Sequence, residues 1–302
     1  MTPFRLKVIR GMFGVGERVA PSLTGRAAFA LFCRTPSVKR LTLGERRAVL
    51  SASDFMTEAR HHRLKTRAGC IVAHEFRPQP GRARGGTILV LHGWRSRTEY
   101  MRALIEGYRE AGYKVVSLDL PGHGQSAGRR LTVVNAVEAV CLVADWFGPF
   151  EAVVGHSFGG AVAVNAAVGS IPGLAPLATK RLVLVAAPSS LPKVFDGFSQ
   201  MLNVGPRSQT VMAGRVERIS GRPLSDFLGD RQLAGSSLPT LVIHAPDDRE
   251  VSAEQARLYA AAGEHVELYW AKGLGHRRIL SDPAVVERAV AFVQPAAKAV
   301  LH

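Results

Sequence analysis

Gly155-His156-Ser157-Phe158-Gly159 is a G-x-S-x-G pentapeptide. It follows the apolar run Ala152–Val154 and opens into a helix-favouring stretch of Gly, Ala, Val and one Asn from Gly160 to Ala167. A strand, a tight elbow and a helix in that order expose a serine hydroxyl at the tip of a turn and force its backbone into strained φ/ψ. Small flanking residues are needed where strand and helix cross closely, and the helix N-terminus puts positive potential beneath the hydroxyl. Ser157 is therefore a candidate nucleophile, which requires a base and an acid to orient that base. His276 is the base candidate, in Gly273-Leu274-Gly275-His276 after the last apolar run, where loop glycines let an imidazole reach back over a strand end. Asp248 is the acid candidate, in His244-Ala245-Pro246-Asp247-Asp248 after the run Thr240–Ile243. The chain order nucleophile, acid, base matches one known triad order and excludes two others.

Elements that can position these residues follow one another from residue 87 onward. Short β-branched apolar runs (Thr87–Leu91, Lys114–Leu118, Ala152–Val154, Leu182–Val185, Thr240–Ile243 and Val266–Trp270) suit strands buried on both faces. Segments with spaced apolar positions lie between them, at about 98–111, 132–147, 158–169, 252–262 and 282–293. This alternation predicts an α/β fold with a mostly parallel central sheet flanked by helices, and ligands bind at the strand ends of such sheets. Residues 188–236 are too long for a plain crossover and read as a small helical cap. Two early strands are expected at His61–Thr66 and Cys70–Phe76, turning at Ala68-Gly69. Residues 1–58 read as one or two basic helices with Pro21 and Pro36 as breakers, giving an N-terminal extension (1–58) and a main domain (59–302).

The 302 residues carry a net charge of +15, unevenly spread. Residues 1–86 hold 17 Lys and Arg against 5 Asp and Glu, whereas the rest of the chain is almost balanced. A basic groove running through the whole protein is thereby excluded. The three cysteines form no C-x-x-C pair, so a disulfide framework or cysteine-rich zinc site is not expected, and a reducing, cytoplasmic setting fits best. No run approaches a transmembrane span. Nucleic acid is not expected as a partner, for want of stacking aromatics and a recognised module.

These motifs, with Leu91-His92-Gly93-Trp94 and Asp119-Leu120-Pro121-Gly122-His123-Gly124-Gln125-Ser126, resemble the α/β-hydrolase superfamily in its serine esterase/lipase-like branch, over about residues 60–295. Ala245 stands where that family's acid turn usually has glycine, yet the pattern selects Asp248 over Asp247. The resemblance implies an oxyanion hole made by the backbone N–H groups of Trp94 and Phe158. It implies hydrolysis of a carboxylic ester through an acyl-enzyme on Ser157, with no cofactor and no metal. Thioesterase, perhydrolase and acyltransferase chemistry run on the same triad and stay open. A non-catalytic, membrane-associated binding protein on a hydrolase scaffold is the reading from a different class.

Gly122-His123-Gly124 has part of the spacing of a dinucleotide loop, but the acid some 20 residues on, Asp145, falls inside a predicted helix. His123, His156 and His244 are expected to be structural, His61-His62 to face solvent, and Arg277-Arg278 to be solvated. Phe195, Phe198, Met201, Leu202 and Met212 suit either an apolar pocket wall, fitting an acyl chain, or the cap's own core. For the basic segment two readings stand: an amphipathic helix on an anionic membrane, or a helix packed on the main domain.

Overall fold

The structure, a computed structural model, describes residues 3–35, 41–67 and 69–294. One sheet of eight strands forms its centre: β1 (Arg60–Thr66), β2 (Gly69–Phe76), β3 (Thr87–Leu91), β4 (Lys114–Asp119), β5 (Ala152–His156), β6 (Leu182–Val185), β7 (Thr240–His244) and β8 (Val266–Trp270). Their order is β1-β2-β4-β3-β5-β6-β7-β8. The β1–β2 and β2–β4 pairs are antiparallel, and every later pair is parallel. β3 lies between β4 and β5, so the strand order reverses there and a crevice opens at the C-terminal ends of β3 and β5.

The apolar runs lack polar alternation because both faces of the sheet are covered. Leu89 and Leu91 of β3 point into one core layer, and Ile88 and Val90 point into the other. The helices are α1 (Pro3–Val19), α2 (Pro21–Phe32), α3 (Leu43–Ser51), α4 (Ser53–Thr57), α5 (Arg102–Glu110), α6 (Val133–Phe147), α7 (Phe158–Ala167), α8 (Leu191–Leu202), α9 (Pro206–Ser220), α10 (Gly229–Ala234), α11 (Ala253–Ala260), α12 (Gly275–Arg278) and α13 (Pro283–Val293). Helices α6, α7 and α11 cover the first face, and α5 and α13 cover the second. No described helix is long and apolar enough to cross a membrane.

Among the described residues of 1–58 there are four helices where one or two were expected. Pro21 begins α2, because proline at the first helical turn forfeits no hydrogen bond. Thr42 and Glu45 form a capping box that starts α3. Pro36 and Ala68 lie outside the described residues.

The interval 188–236 contains α8, α9, a 3₁₀ turn at Leu224–Asp226 and α10. α10 packs on α7 and α11, beside the sheet, while α2 packs along α9. α1 ties the cap together at two helix ends. The N-cap of α9 is Gly205, which has no side chain to offer. Glu17 supplies the missing acceptor: its carboxylate takes the Arg207 N–H at 2.9 Å, the Ser208 N–H at 3.0 Å and the Ser208 hydroxyl. Arg10 donates to the last carbonyls of α8, Gln200 O at 3.1 Å and Met201 O at 2.7 Å. An acid at a helix N-terminus and a base at a C-terminus both complement the helix dipole. Glu17→Ala is expected to cost about 1 kcal/mol in denaturant unfolding, the usual scale of a lost cap. Proteolysis within α1 should accelerate in parallel, and an unchanged unfolding midpoint would refute this role for Glu17.

Candidate active site

Ser157 sits between β5 and α7 with φ 52° and ψ −125°, a conformation L-residues rarely adopt. Close packing holds it there. A Cβ on Gly155 would lie 2.5 Å from Gly159 O, and one on Gly159 would lie 2.4 Å from Leu91 O. Strand, elbow and helix therefore fit together only with glycine at both positions.

The structure brings the three candidate residues into one hydrogen-bonded chain. His276 Nε2 lies 3.0 Å from Ser157 Oγ, and His276 Nδ1 lies 2.7 Å from Asp248 Oδ2. Asp248 Oδ1 accepts the Glu250 N–H at 2.7 Å and the Val251 N–H at 3.0 Å. Burial opposes the Asp248 charge, but the His276 hydrogen bond and the two backbone N–H groups outweigh it and hold the carboxyl below the usual carboxylate range. An ionised Asp248 fixes the proton on Nδ1 and leaves the Nε2 lone pair facing the serine hydroxyl. Asp247 points the other way, and its Oδ1 accepts the Gly273 N–H at 2.9 Å, which joins the acid turn to the histidine loop.

Trp94 and Phe158 line the same cavity as Ser157, and their rings meet edge to face with centroids 6.2 Å apart. Phe158 is the first residue of α7, so its N–H has no intrahelical acceptor. The loop carrying Trp94 presses on the elbow: a Cβ on Gly93 would lie 2.9 Å from Ser157 Cβ. Neither N–H takes an acceptor among the described residues.

Ser157, Phe158, Trp94 and His276 all open onto a cavity of about 1,120 Å³. Its apolar walls come from both ends of the chain. Phe195, Phe198 and Met201 of α8 line it, as do Phe29 and Phe32 of α2. Phe32 packs against Phe195, Phe198 and Trp94 with ring centroids 4.3, 5.1 and 6.5 Å away. Leu202 and Met212, by contrast, are buried in the cap core and do not line the cavity.

The sequence matches the Alpha/beta hydrolase family over residues 88–289, two-thirds of the chain. The chain belongs to the alpha/beta hydrolase family. No curated protein matches it. Among solved structures it is similar to the ferulic-acid-bound Est1E from Butyrivibrio proteoclasticus (18% identity, 74% of this chain and 94% of that one covered, TM-score 0.61). It is similar to the naproxen esterase from Bacillus subtilis (16%, 84% and 100%, TM-score 0.58). It is also similar to the thioesterase domain of the curacin biosynthetic pathway (15%, 78% and 98%, TM-score 0.55). At these identities the structural likeness establishes the shared fold.

In this α/β hydrolase the remaining histidines support the loops. His92 donates from Nδ1 to Gly93 O at 2.8 Å and accepts the Leu120 N–H on Nε2 at 3.0 Å. His123 accepts the Arg95 N–H on Nε2 at 3.1 Å and donates to Pro121 O. Together they fix the segment that carries Trp94. His156 donates to the carbonyl of His276 at 2.9 Å, and His244 donates to Val251 O at 3.0 Å across the acid turn. His61 is exposed, as expected, and its Nδ1 lies 2.7 Å from Nδ1 of His74. His62 pairs with Glu75 at 2.8 Å. Arg277 is exposed and pairs with Glu250 at 3.0 Å.

The support that sequence reasoning missed is Asp119, fully buried at the end of β4. Its carboxylate accepts His74 Nε2 at 3.0 Å, the Thr98 N–H and hydroxyl at 3.0 Å each, and the Gln125 N–H at 2.7 Å. Burial opposes its charge, but the His74 hydrogen bond leads the contacts that outweigh it and hold the carboxyl far below the ordinary range. The available signal was His74 itself, an imidazole at a wholly buried position of β2. Among the described residues no group of three His, Cys, Asp or Glu side chains is placed to hold a metal ion.

These buried histidines set an acid limit on stability. Burial pushes His123 down to about 3, with His92 adding to the shift, and pushes His156 down to about 3, with His276 adding. In the unfolded chain both titrate near 6.5, so the unfolded state binds more protons between about pH 6.5 and about pH 3. Stability is therefore full above that window and falls as pH drops through it. Asp119 and Asp248, held below the usual carboxylate range, reinforce the loss at its lower end. The urea midpoint should drop clearly between about pH 7.5 and about pH 5, and a flat midpoint would contradict the neutral-histidine assignment.

Proposed function

We propose that the chain is a serine hydrolase that cleaves carboxylic esters through an acyl-enzyme. The Asp248–His276–Ser157 hydrogen-bond chain, mounted on a strained elbow at the wall of an apolar cavity, carries this reading. Ser157 Oγ attacks the ester carbonyl while His276 Nε2 takes its proton. Asp248 keeps the Nδ1 tautomer and stabilises the imidazolium that forms. The Trp94 and Phe158 N–H groups receive the developing oxyanion; as backbone donors they are oriented before the charge appears. His276 returns the proton to the leaving alcohol, and water then attacks the acyl-Ser157 ester with His276 again as base. The apolar walls suit an aliphatic or aromatic acyl group.

Ser157→Ala should lower kcat on a p-nitrophenyl ester by about 10⁴-fold or more, the scale on which a triad nucleophile acts. A fluorophosphonate should label Ser157 in the native protein; a folded protein that stays unlabelled and turns over no ester would sink the proposal in favour of a binding role. Running the matched acyl thioester beside the ester separates esterase from thioesterase by kcat/KM.

The wall contributed by α2 makes a second expectation. Phe32→Ala should raise KM for long-chain p-nitrophenyl esters while leaving acetate turnover nearly intact. Equal effects across the chain-length series would remove Phe32 from the acyl site.

A further inference from the structure

Helix α1 has two apolar faces. Leu6, Ile9 and Phe13 pack inward on the cap core. Phe4, Val8, Met12, Val15 and Val19 recur every three or four residues on the opposite side, the spacing of a single helical stripe. Four of these five are among the most exposed large apolar side chains, at 76% (Phe4), 69% (Met12), 65% (Val15) and 79% (Val19). The stripe runs for about 22 Å along the helix.

Charge is arranged around the stripe with one sign. At 3.6 residues per turn, Lys7 and Arg18 border one edge and Arg5 borders the other. All three are exposed and take no ion pair among the described residues. The single acid of α1, Glu17, lies on the cap-facing side and is committed to Arg207 and Ser208. A second copy docked on this face about a twofold axis would bring the three cations against one another, which disfavours self-association. An anionic surface is favoured by the same charges, since each Lys or Arg near acidic lipid adds to attraction.

The position of the stripe gives it a use. α1 holds Met201 O through Arg10, and Met201 lies at the cavity with its side chain 48% exposed. Leu31 of α2, also exposed, joins it at the cavity. We propose that α1 lies in the surface of an anionic bilayer, with Phe4, Val8, Met12, Val15 and Val19 inserted and Arg5, Lys7 and Arg18 at the headgroup phosphates. The cavity is then seated beside the lipid phase and takes acyl esters from it. Only this last statement rests on the ester-hydrolase reading; the docking does not.

Vesicle flotation tests the docking directly. Full-length protein should float with phosphatidylcholine vesicles containing phosphatidylglycerol, dissociate at high salt, and bind phosphatidylcholine alone weakly. Ser157→Ala should bind as the native chain does, so a failure of the esterase reading leaves this result readable. The double variant Met12→Glu/Val15→Glu should reduce binding by about tenfold or more. Its circular dichroism, thermal midpoint and p-nitrophenyl acetate turnover should be unchanged, because both positions are exposed. The triple variant Arg5→Glu/Lys7→Glu/Arg18→Glu should lose the preference for phosphatidylglycerol. Native protein that fails to float, or the double variant binding as well as native, would overturn the proposal. So would light scattering that shows a dimer which Met12→Glu/Val15→Glu dissociates, since a second copy would then cover the stripe.

Discussion

The structure turns on the close crossing of β5 and α7 at Ser157. A non-glycine residue at φ 52° is costly by itself, of the order of 1–3 kcal/mol. It persists because its surroundings leave no alternative. β5 is hydrogen-bonded between β3 and β6, its residues are fully buried, and Gly155 and Gly159 bring strand, helix and the end of β3 into contact. The sheet thus supplies the rigidity and the glycines supply the proximity. The same crossing frees the Phe158 N–H at the head of α7 and presses the Gly93 loop onto Ser157. One packing constraint accordingly places Ser157 at the tip of the elbow, with the unpartnered first amide of α7 and the Gly93 loop beside it.

A second layer of buried polar groups holds the loops that the elbow cannot. Asp119 gathers Thr98, Gln125 and His74 around one carboxylate, and His92 and His123 fasten the residues on either side of Trp94. Such a network is stable only when its members are satisfied, since an unpaired charge in this interior would be severely penalised. Each carboxylate is held ionised by the donors it collects, whereas burial disfavours the charged form of His92, His123, His156 and His244, each with one donor and one acceptor position to fill. His156 and His244 fill only the first: their Nδ1 atoms are buried without a partner.

The body of the fold was readable in the sequence because the inner strands β3 to β7 are buried on both faces. Thr87–Leu91, Leu182–Val185 and Val266–Trp270 end where their apolar runs end. Ser157, Asp248 and His276 could be placed because each follows such a run in a fixed order, and the structure sets them within hydrogen-bonding distance of one another. What could not be read depends on partners distant in sequence. Phe29 and Phe32 meet Phe195 and Phe198 across more than 160 residues, and nothing local to α2 distinguishes a pocket wall from an ordinary apolar face. For the same reason Leu202 and Met212 could not be separated from Phe195 and Met201. Asp119 is one aspartate at a strand end among others until β2 folds His74 over it.

The charge imbalance acquires its physical meaning at this point. Residues 1–86 carry the excess, and part of that segment forms a wall of the cavity at Ser157. A helical hairpin whose inner side is aromatic, and whose outer side is apolar and edged with Arg and Lys, has different partners on its two sides. The inner side is satisfied by α8 and α9. The outer side leaves a stripe of large apolar side chains in water, and Arg5, Lys7 and Arg18 take no ion pair among the described residues. Exposed apolar surface of this extent carries a free-energy cost that the protein interior does not offset. A face that is apolar along its axis and cationic along both edges is matched by a medium with the same layering, hydrocarbon beneath phosphate. With α1 in that medium, the α1–α2 hairpin, whose α2 lines the cavity, would also be the element that sets the cavity against the lipid.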